Sequence, residues 1–96
     1  MTTEQKELFQ TAILRVLDAN RSRWGQGVVA IGLRLAQFAF SAASFASEEA
    51  FHAAIADAVQ YLCDKQLAEE VPKVVGAANR VWRITPAGID YLDEHG

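Results

Sequence analysis

The stretch SEEAFHAAIADAVQYLCDKQLAEEV, running from Ser47 to Val71, decides how this chain folds. Phe51, Ile55, Ala58 and Leu62 recur at steps of four, three and four, with Ala54 and Val59 beside them. That is the single apolar stripe of an amphipathic helix. Ser47 is placed to cap its start, and Glu48 and Glu49 fall in the first turn, where the helix dipole favours negative charge. The helix should stop near Lys65–Gln66, and Leu67–Val71 then alternates Leu, Glu and Val against Ala and Glu, as a half-exposed strand does.

Working outward, Pro72 to Asn79 reads as a loop with Gly76 at its middle. Arg80-Val81-Trp82-Arg83-Ile84 alternates again, with Val81 or Trp82 and Ile84 as inward positions, so the two short runs form a β-hairpin. Thr85-Pro86 is a strong helix start, with Thr85 as N-cap and Pro86 in the first helical position. Ile89 and Leu92 of that last helix point inward, with Tyr91 alongside, and it is finished by His95-Gly96.

On the other side of the opening stretch, Thr2 or Thr3 can cap a first helix whose stripe is Phe9, Ala12, Ile13, Val16 and Leu17, flanked by Leu8 and Leu14. It ends near Asn20, where Asn-Arg-Ser-Arg-Trp-Gly-Gln-Gly begins a turn. A second helix runs from about Gly27 to Phe38, with Val28, Ile31, Leu35 and Phe38 inward and Arg34 and Gln37 outward. The segment from Phe38 to Ala46 holds Phe38, Phe40 and Phe45 and no charge, proline or glycine. Connecting segments are ordinarily polar. This one therefore either pads the core or offers Phe38, Phe40 and Phe45 as an interface, since exposed aromatic patches mark contact surfaces.

With 96 residues, 51% of them hydrophobic and 22% charged, the chain allows one domain, residues 1–96, of ordinary globular composition. No apolar run reaches the roughly 20 residues that span a bilayer, and Met-Thr-Thr-Glu-Gln-Lys-Glu lacks the basic and apolar regions of a signal peptide. The expected location is the cytoplasm, without a membrane partner. Cys63 is the one cysteine, so neither an internal disulfide nor a cysteine-cluster metal site can form. It should lie at the edge of the apolar stripe as a small hydrophobe.

The net charge of −3 is unevenly spread. Up to Ala46, Lys6, Arg15, Arg21, Arg23 and Arg34 outnumber Glu4, Glu7 and Asp18. From Ser47 to Glu70, six carboxylates (Glu48, Glu49, Asp57, Asp64, Glu69 and Glu70) face Lys65 alone. The remainder balances. Asymmetry of this kind speaks to partners rather than to fold.

Catalytic chemistry finds no foothold. Gly25-Gln26-Gly27-Val28-Val29-Ala30 matches the dinucleotide fingerprint in form, but a helix precedes it and the chain has no β-α alternation to build the parallel sheet. These glycines are turn formers, and no cofactor is expected. His52 and His95 have no metal-ligand spacing, and Cys63 has no nucleophile motif around it. The chain is not expected to be an enzyme or to hold a metal.

Helix, helix, helix, hairpin, helix is a familiar order. Leu62-Cys63-Asp64-Lys65-Gln66-Leu67, followed by Trp82-Arg83-Ile84-Thr85-Pro86-Ala87-Gly88, resembles the bacterial winged-helix regulators of the MarR and PadR sort. In those families a helix closing in Leu…Gly-Leu leads to the wing, and an aromatic-x-Leu-Thr-x-x-Gly segment opens the next helix. Gln66 stands where they usually carry a left-handed glycine, and the connector before Ser47 exceeds the three or four residues of a helix-turn-helix. The resemblance implies a mainly α fold with a small β-hairpin: a winged helix-turn-helix with three helices, a two-stranded wing and a C-terminal helix. It also implies a DNA-binding transcriptional regulator in which the Ser47 helix enters DNA.

The residues qualify that role. Glu48, Glu49, His52, Asp57 and Gln60 line the outer side of the Ser47 helix, with no cation before Lys65. Base readout leans on Arg, Lys, Asn and Gln, and phosphate attraction supplies most non-specific affinity. Contact with double-stranded DNA is therefore expected from Arg21, Arg23 and Gln26 in the turn, from Arg34, and from Lys73 and Arg80 on the wing. The alternative is a protein-interaction module on the same scaffold, a homodimer or an adaptor for another protein, in which the phenylalanines make the contact. Small chains of this kind also resemble accessory proteins of phages and mobile elements.

Overall fold

A computed structural model of the protein describes residues 2–21, 25–38, 40–72 and 80–95. Four helices, α1 (Thr3–Ala19), α2 (Val28–Leu35), α3 (Glu48–Asp64) and α4 (Pro86–His95), surround a small sheet of β1 (Gln26–Gly27), β2 (Ala68–Glu70) and β3 (Val81–Ile84). The strands lie in the order β1-β3-β2, antiparallel throughout. This is the expected α+β composition with one correction: the sheet has three strands, not two. Gln26 and Gly27, read from sequence as part of a turn, pair with Trp82 and Val81.

Gly25 makes the entry into β1 possible. Its φ is +77°, and a Cβ there would sit 2.8 Å from the Trp82 carbonyl oxygen. Glycine was the right residue for the wrong element: it brings the backbone close to β3 rather than turning it away.

The helices begin where their caps place them. Thr2 and Gln5 form a reciprocal capping box on α1, and the Ser47 hydroxyl accepts from the Ala50 amide at 3.0 Å on α3. At its other end α3 closes in a Schellman motif. The Leu67 amide donates to the Leu62 carbonyl and the Gln66 amide to that of Cys63, both at 2.9 Å, with Gln66 at φ 64°. Thr85 then ties the start of α4 to this corner. Its amide donates to the Leu67 carbonyl, its hydroxyl donates to Gln66 O at 2.7 Å, and it caps the Gly88 amide at 3.1 Å. Gly88 packs so closely that a Cβ would collide with the Leu67 carbonyl oxygen.

One core joins these elements. Phe9, Ile13, Val16 and Leu17 of α1 meet Ile31 and Leu35 of α2, and Phe51, Ile55, Val59 and Leu62 of α3, with Trp82 and Leu92 closing it. Leu14 is fully buried, whereas Leu8 on the other flank of the stripe is 62% exposed. Two further expectations change. α2 gives way to a 3-10 turn at Ala36–Phe38, leaving Phe38 only half-buried. β2 begins at Ala68, which is buried, with Glu69 and Glu70 exposed. With Leu67 spent on the Schellman corner, the strand starts one residue later.

Candidate functional site

The phenylalanine-rich connector between α2 and α3 folds back over α1. Phe9 and Phe40 stand edge to face with ring centres 5.1 Å apart, Phe9 and Phe45 are 5.7 Å apart, and Phe45 and Phe51 5.0 Å. Such pairs add about 0.5–1.5 kcal/mol beyond the area they bury. A segment without charge is thereby anchored as part of the core. It does not end there, because Phe38 and Phe40 also form one wall of an open trough of ≈ 840 Å³.

The floor of that trough is the outward stripe of α1: Glu4, Leu8, Thr11 and Arg15, at steps of four, three and four, with Glu7 and Ala12 to either side. The opposite wall is Tyr91 and His95 of α4, whose rings stack at 4.1 Å while His95 Nδ1 lies 2.9 Å from the Tyr91 carbonyl oxygen. Leu8 rises from the floor, unlike its buried neighbour Phe9. Glu4, Glu7 and Arg15 have no ion-pair partner among the described residues. Of the three phenylalanines expected at an interface, Phe38 and Phe40 line this trough, while Phe45 is set among Phe9 and Phe51. Leu8, Thr11, Arg15, Tyr91 and His95 were not anticipated. They meet only because α4 crosses α1, which no local pattern records.

The residues expected to touch DNA are distributed otherwise. Arg21 closes on Asp18 at 2.6 Å at the end of α1. Arg80 lies 5.2 Å over the Trp82 ring and holds Glu70 through two contacts, Nε to Oε1 at 2.6 Å and Nη2 to Oε2 at 3.3 Å. That carboxylate raises the guanidinium pKa above its ordinary value, chiefly by hydrogen bonding. Arg83 is matched to Glu69 directly across the β2–β3 ladder, at 2.5 Å. Gln26 sits on β1, paired through its backbone with Trp82, and Arg34 is exposed on α2 without an ion pair among the described residues. Arg23 and Lys73 fall outside the described residues, as do Ser22, Trp24 and most of the loop around Gly76.

Two groups near the hairpin complete the inventory. The Trp82 indole N–H is buried with no hydrogen-bond partner among the described residues. Cys63 is half-buried, and burial, followed by the nearby Glu70 charge, pushes its thiol pKa up and away from reactivity. Among the described residues no cluster of His, Cys, Asp and Glu can hold a metal, and no helix is long and apolar enough to cross a membrane.

Comparison with known proteins returned no matching family model, no matching curated protein and no matching solved structure.

Proposed function

We propose that this protein is an interaction module on a winged-helix scaffold, and that its first contact is with a second copy of itself through the α1 trough. The scaffold reading rests on the element order, three helices, a hairpin and a further helix, together with the left-handed Gln66 at the corner where the resemblance expects glycine. One observation carries the interaction reading. The apolar trough is open and edged by unpaired charges, while the arginines described on the hairpin already hold the chain's own carboxylates.

The proposed dimer pairs the trough surface with itself. Two α1 helices laid antiparallel about a two-fold axis at Thr11 bring Glu7 of each opposite Arg15 of the other. An interface that pairs a patch with itself is what a two-fold dimer requires. Burial of exposed leucine and phenylalanine surface supplies the affinity, at about 25 cal/mol per Å², and the charge pair sets the register.

Sedimentation across about 1–100 µM, the range in which such interfaces dissociate, tests this. The wild-type protein is expected to be a dimer at the upper end. Leu8→Glu should leave a folded monomer, because that side chain lies outside the core. Glu7→Arg and Arg15→Glu should each weaken association by roughly tenfold, and the double variant should recover it. A wild-type protein that is monomeric throughout this range overturns the proposal.

A second reading, a DNA-binding regulator using the turn and the hairpin, is favoured by one feature. Gly27, the N-cap of α2, makes no side-chain hydrogen bond, so among the described residues the first amides of that helix have no capping side chain. Arg21, Arg23, Arg34, Lys73 and Arg80 would then be the phosphate contacts, and Arg21 and Arg80 would exchange carboxylates for phosphates. Binding of duplex DNA at about 50 mM salt, weakened by Arg21→Ala or Arg80→Ala with a shallower salt dependence, would establish it. Absence of binding under those conditions removes it.

A further inference from the structure

Beside the trough lies a second cavity of ≈ 570 Å³, which opens on the α3 side of α1 and shares Glu7 and Tyr91 with it. Volumes of about 300–1,000 Å³ are those of small-molecule sites. Leu14 and Leu62 line this cavity and are buried, so they form an apolar floor. Tyr61 of α3 and Tyr91 of α4 add two aromatic rings to its lining. Glu7 and Lys65 line it as well, both as exposed side chains. Lys65 Nζ lies 5.6 Å from the Tyr61 ring centre. Neither Lys65 nor Glu7 has an ion-pair partner among the described residues, so they do not pair with each other.

Opposite charges that face one cavity without closing on each other are left to meet a ligand. An anion alone would sit beside the Glu7 carboxylate, and a cation alone beside Lys65. A molecule that carries both signs satisfies each. Two buried leucines among tyrosine rings suit an aromatic body. We infer that this cavity binds a zwitterionic amino acid with an aromatic side chain. Its ammonium donates to Glu7, its carboxylate accepts from Lys65, and its ring covers Leu14 and Leu62 beside Tyr61 and Tyr91. Glu7 is also the carboxylate offered to Arg15 of a second copy. Ligand and second copy therefore compete for it, and each weakens binding of the other by the same factor. That coupling rests on the self-association reading; the ligand site does not.

The probes are L-phenylalanine and three partial analogues: phenethylamine without the carboxylate, 3-phenylpropionate without the ammonium, and glycine without the ring. Each is titrated into the isotope-labelled protein, with backbone amide shifts as the readout and sedimentation run on the same samples. L-Phenylalanine should half-saturate at about 1 mM, ordinary for so small a ligand. The shifts should centre on Gln10, Leu14, Tyr61 and Leu67, which line this cavity and not the trough. Each analogue should bind more weakly by about tenfold or more, the worth of one charge-assisted hydrogen bond or one buried ring. Lys65→Met should remove the advantage over phenethylamine, and Glu7→Gln the advantage over 3-phenylpropionate. Both side chains are exposed, so neither change disturbs the core. Saturating L-phenylalanine should weaken dimerisation a few-fold. Shifts centred on Phe38 and Phe40, an analogue that binds as tightly as L-phenylalanine, or no saturable shift overturns the site, whatever sedimentation shows. A dimer that takes up L-phenylalanine with its dissociation constant unchanged overturns the coupling. A protein that is monomeric throughout overturns self-association and the coupling with it, and the titration then decides the site by itself.

Discussion

On the hairpin each charged side chain of the two described strands meets an opposite charge: Glu69 meets Arg83 and Glu70 meets Arg80. Along the outward stripe of α1, Glu4, Glu7 and Arg15 meet none among the described residues, and Leu8 stands in solvent between them. Both regions are charged, but they offer a partner different things. To bind phosphate, the hairpin must first give up contacts it already makes, and the net gain is the difference between two similar ion pairs. The trough gives up only water. Its apolar surface is what favours association most strongly, and its unpaired charges add direction without first having to break a pair. A count of arginines in the sequence cannot see this distinction, since it lies in what each side chain already touches.

The comparison breaks most completely where its two regions join. Gly88 holds α4, one wall of the trough, against Leu67 and Ile84 beside the hairpin. Gly88→Ala places a methyl group into the Leu67 carbonyl oxygen, which itself accepts from the Thr85 amide. Neither backbone can give way without opening the Thr85 corner. The expected cost is about 3 kcal/mol, at the upper end of overpacking effects, read as a lower urea midpoint. Tyr91 and His95 shift with the helix, so self-association should fall too. Stability unchanged within error would mean that α4 is not seated as described.

Much of this architecture was legible and some of it was not, for separable reasons. The helices could be read because Phe51, Ile55, Ala58 and Leu62, like Phe9, Ile13 and Val16, repeat at the helical period, and because Thr2, Ser47 and Thr85 stand where caps are needed. β1 could not be read. A strand of two residues has no period, and Gln26-Gly27 pairs only because β3 has a free edge beside it. The Arg80–Glu70 contact depends on the register across the hairpin, which depends in turn on where β2 begins. The trough is less legible still. Leu8, Phe40 and Tyr91 are far apart in sequence and share a surface only through helix packing. The phenylalanines gave a partial signal: an uncharged aromatic connector had to be buried, and Phe38 and Phe40 were left only half so.

A smaller change sharpens the comparison by touching only the hairpin side. Gln66 holds φ 64° to close the Schellman motif, a conformation that strains any residue with a Cβ. Gln66→Gly should stabilise the fold by about 0.5–1 kcal/mol, the strain relieved less the backbone freedom gained by the unfolded chain. Thermal unfolding measures it. Self-association should not change, because Gln66 does not line the trough. A destabilised variant would show that the Gln66 side chain makes a contact worth more than the strain.

The smallest effect is expected from the pair that looks strongest on distance alone. Arg83 Nε and Glu69 Oε1 are 2.5 Å apart across the ladder, but both side chains are about half in water. Solvent screens their attraction, and holding two long side chains in one geometry costs rotamer freedom. Arg83→Ala should therefore destabilise by only about 0.5 kcal/mol at low salt, and by less still near 1 M, where the screening length falls to about 3 Å. Dimer affinity should be untouched. If Arg83→Ala instead lowered self-association as Leu8→Glu is expected to, the hairpin would be part of the interface. The contrast between a satisfied hairpin and an open trough would then fail at its most direct point.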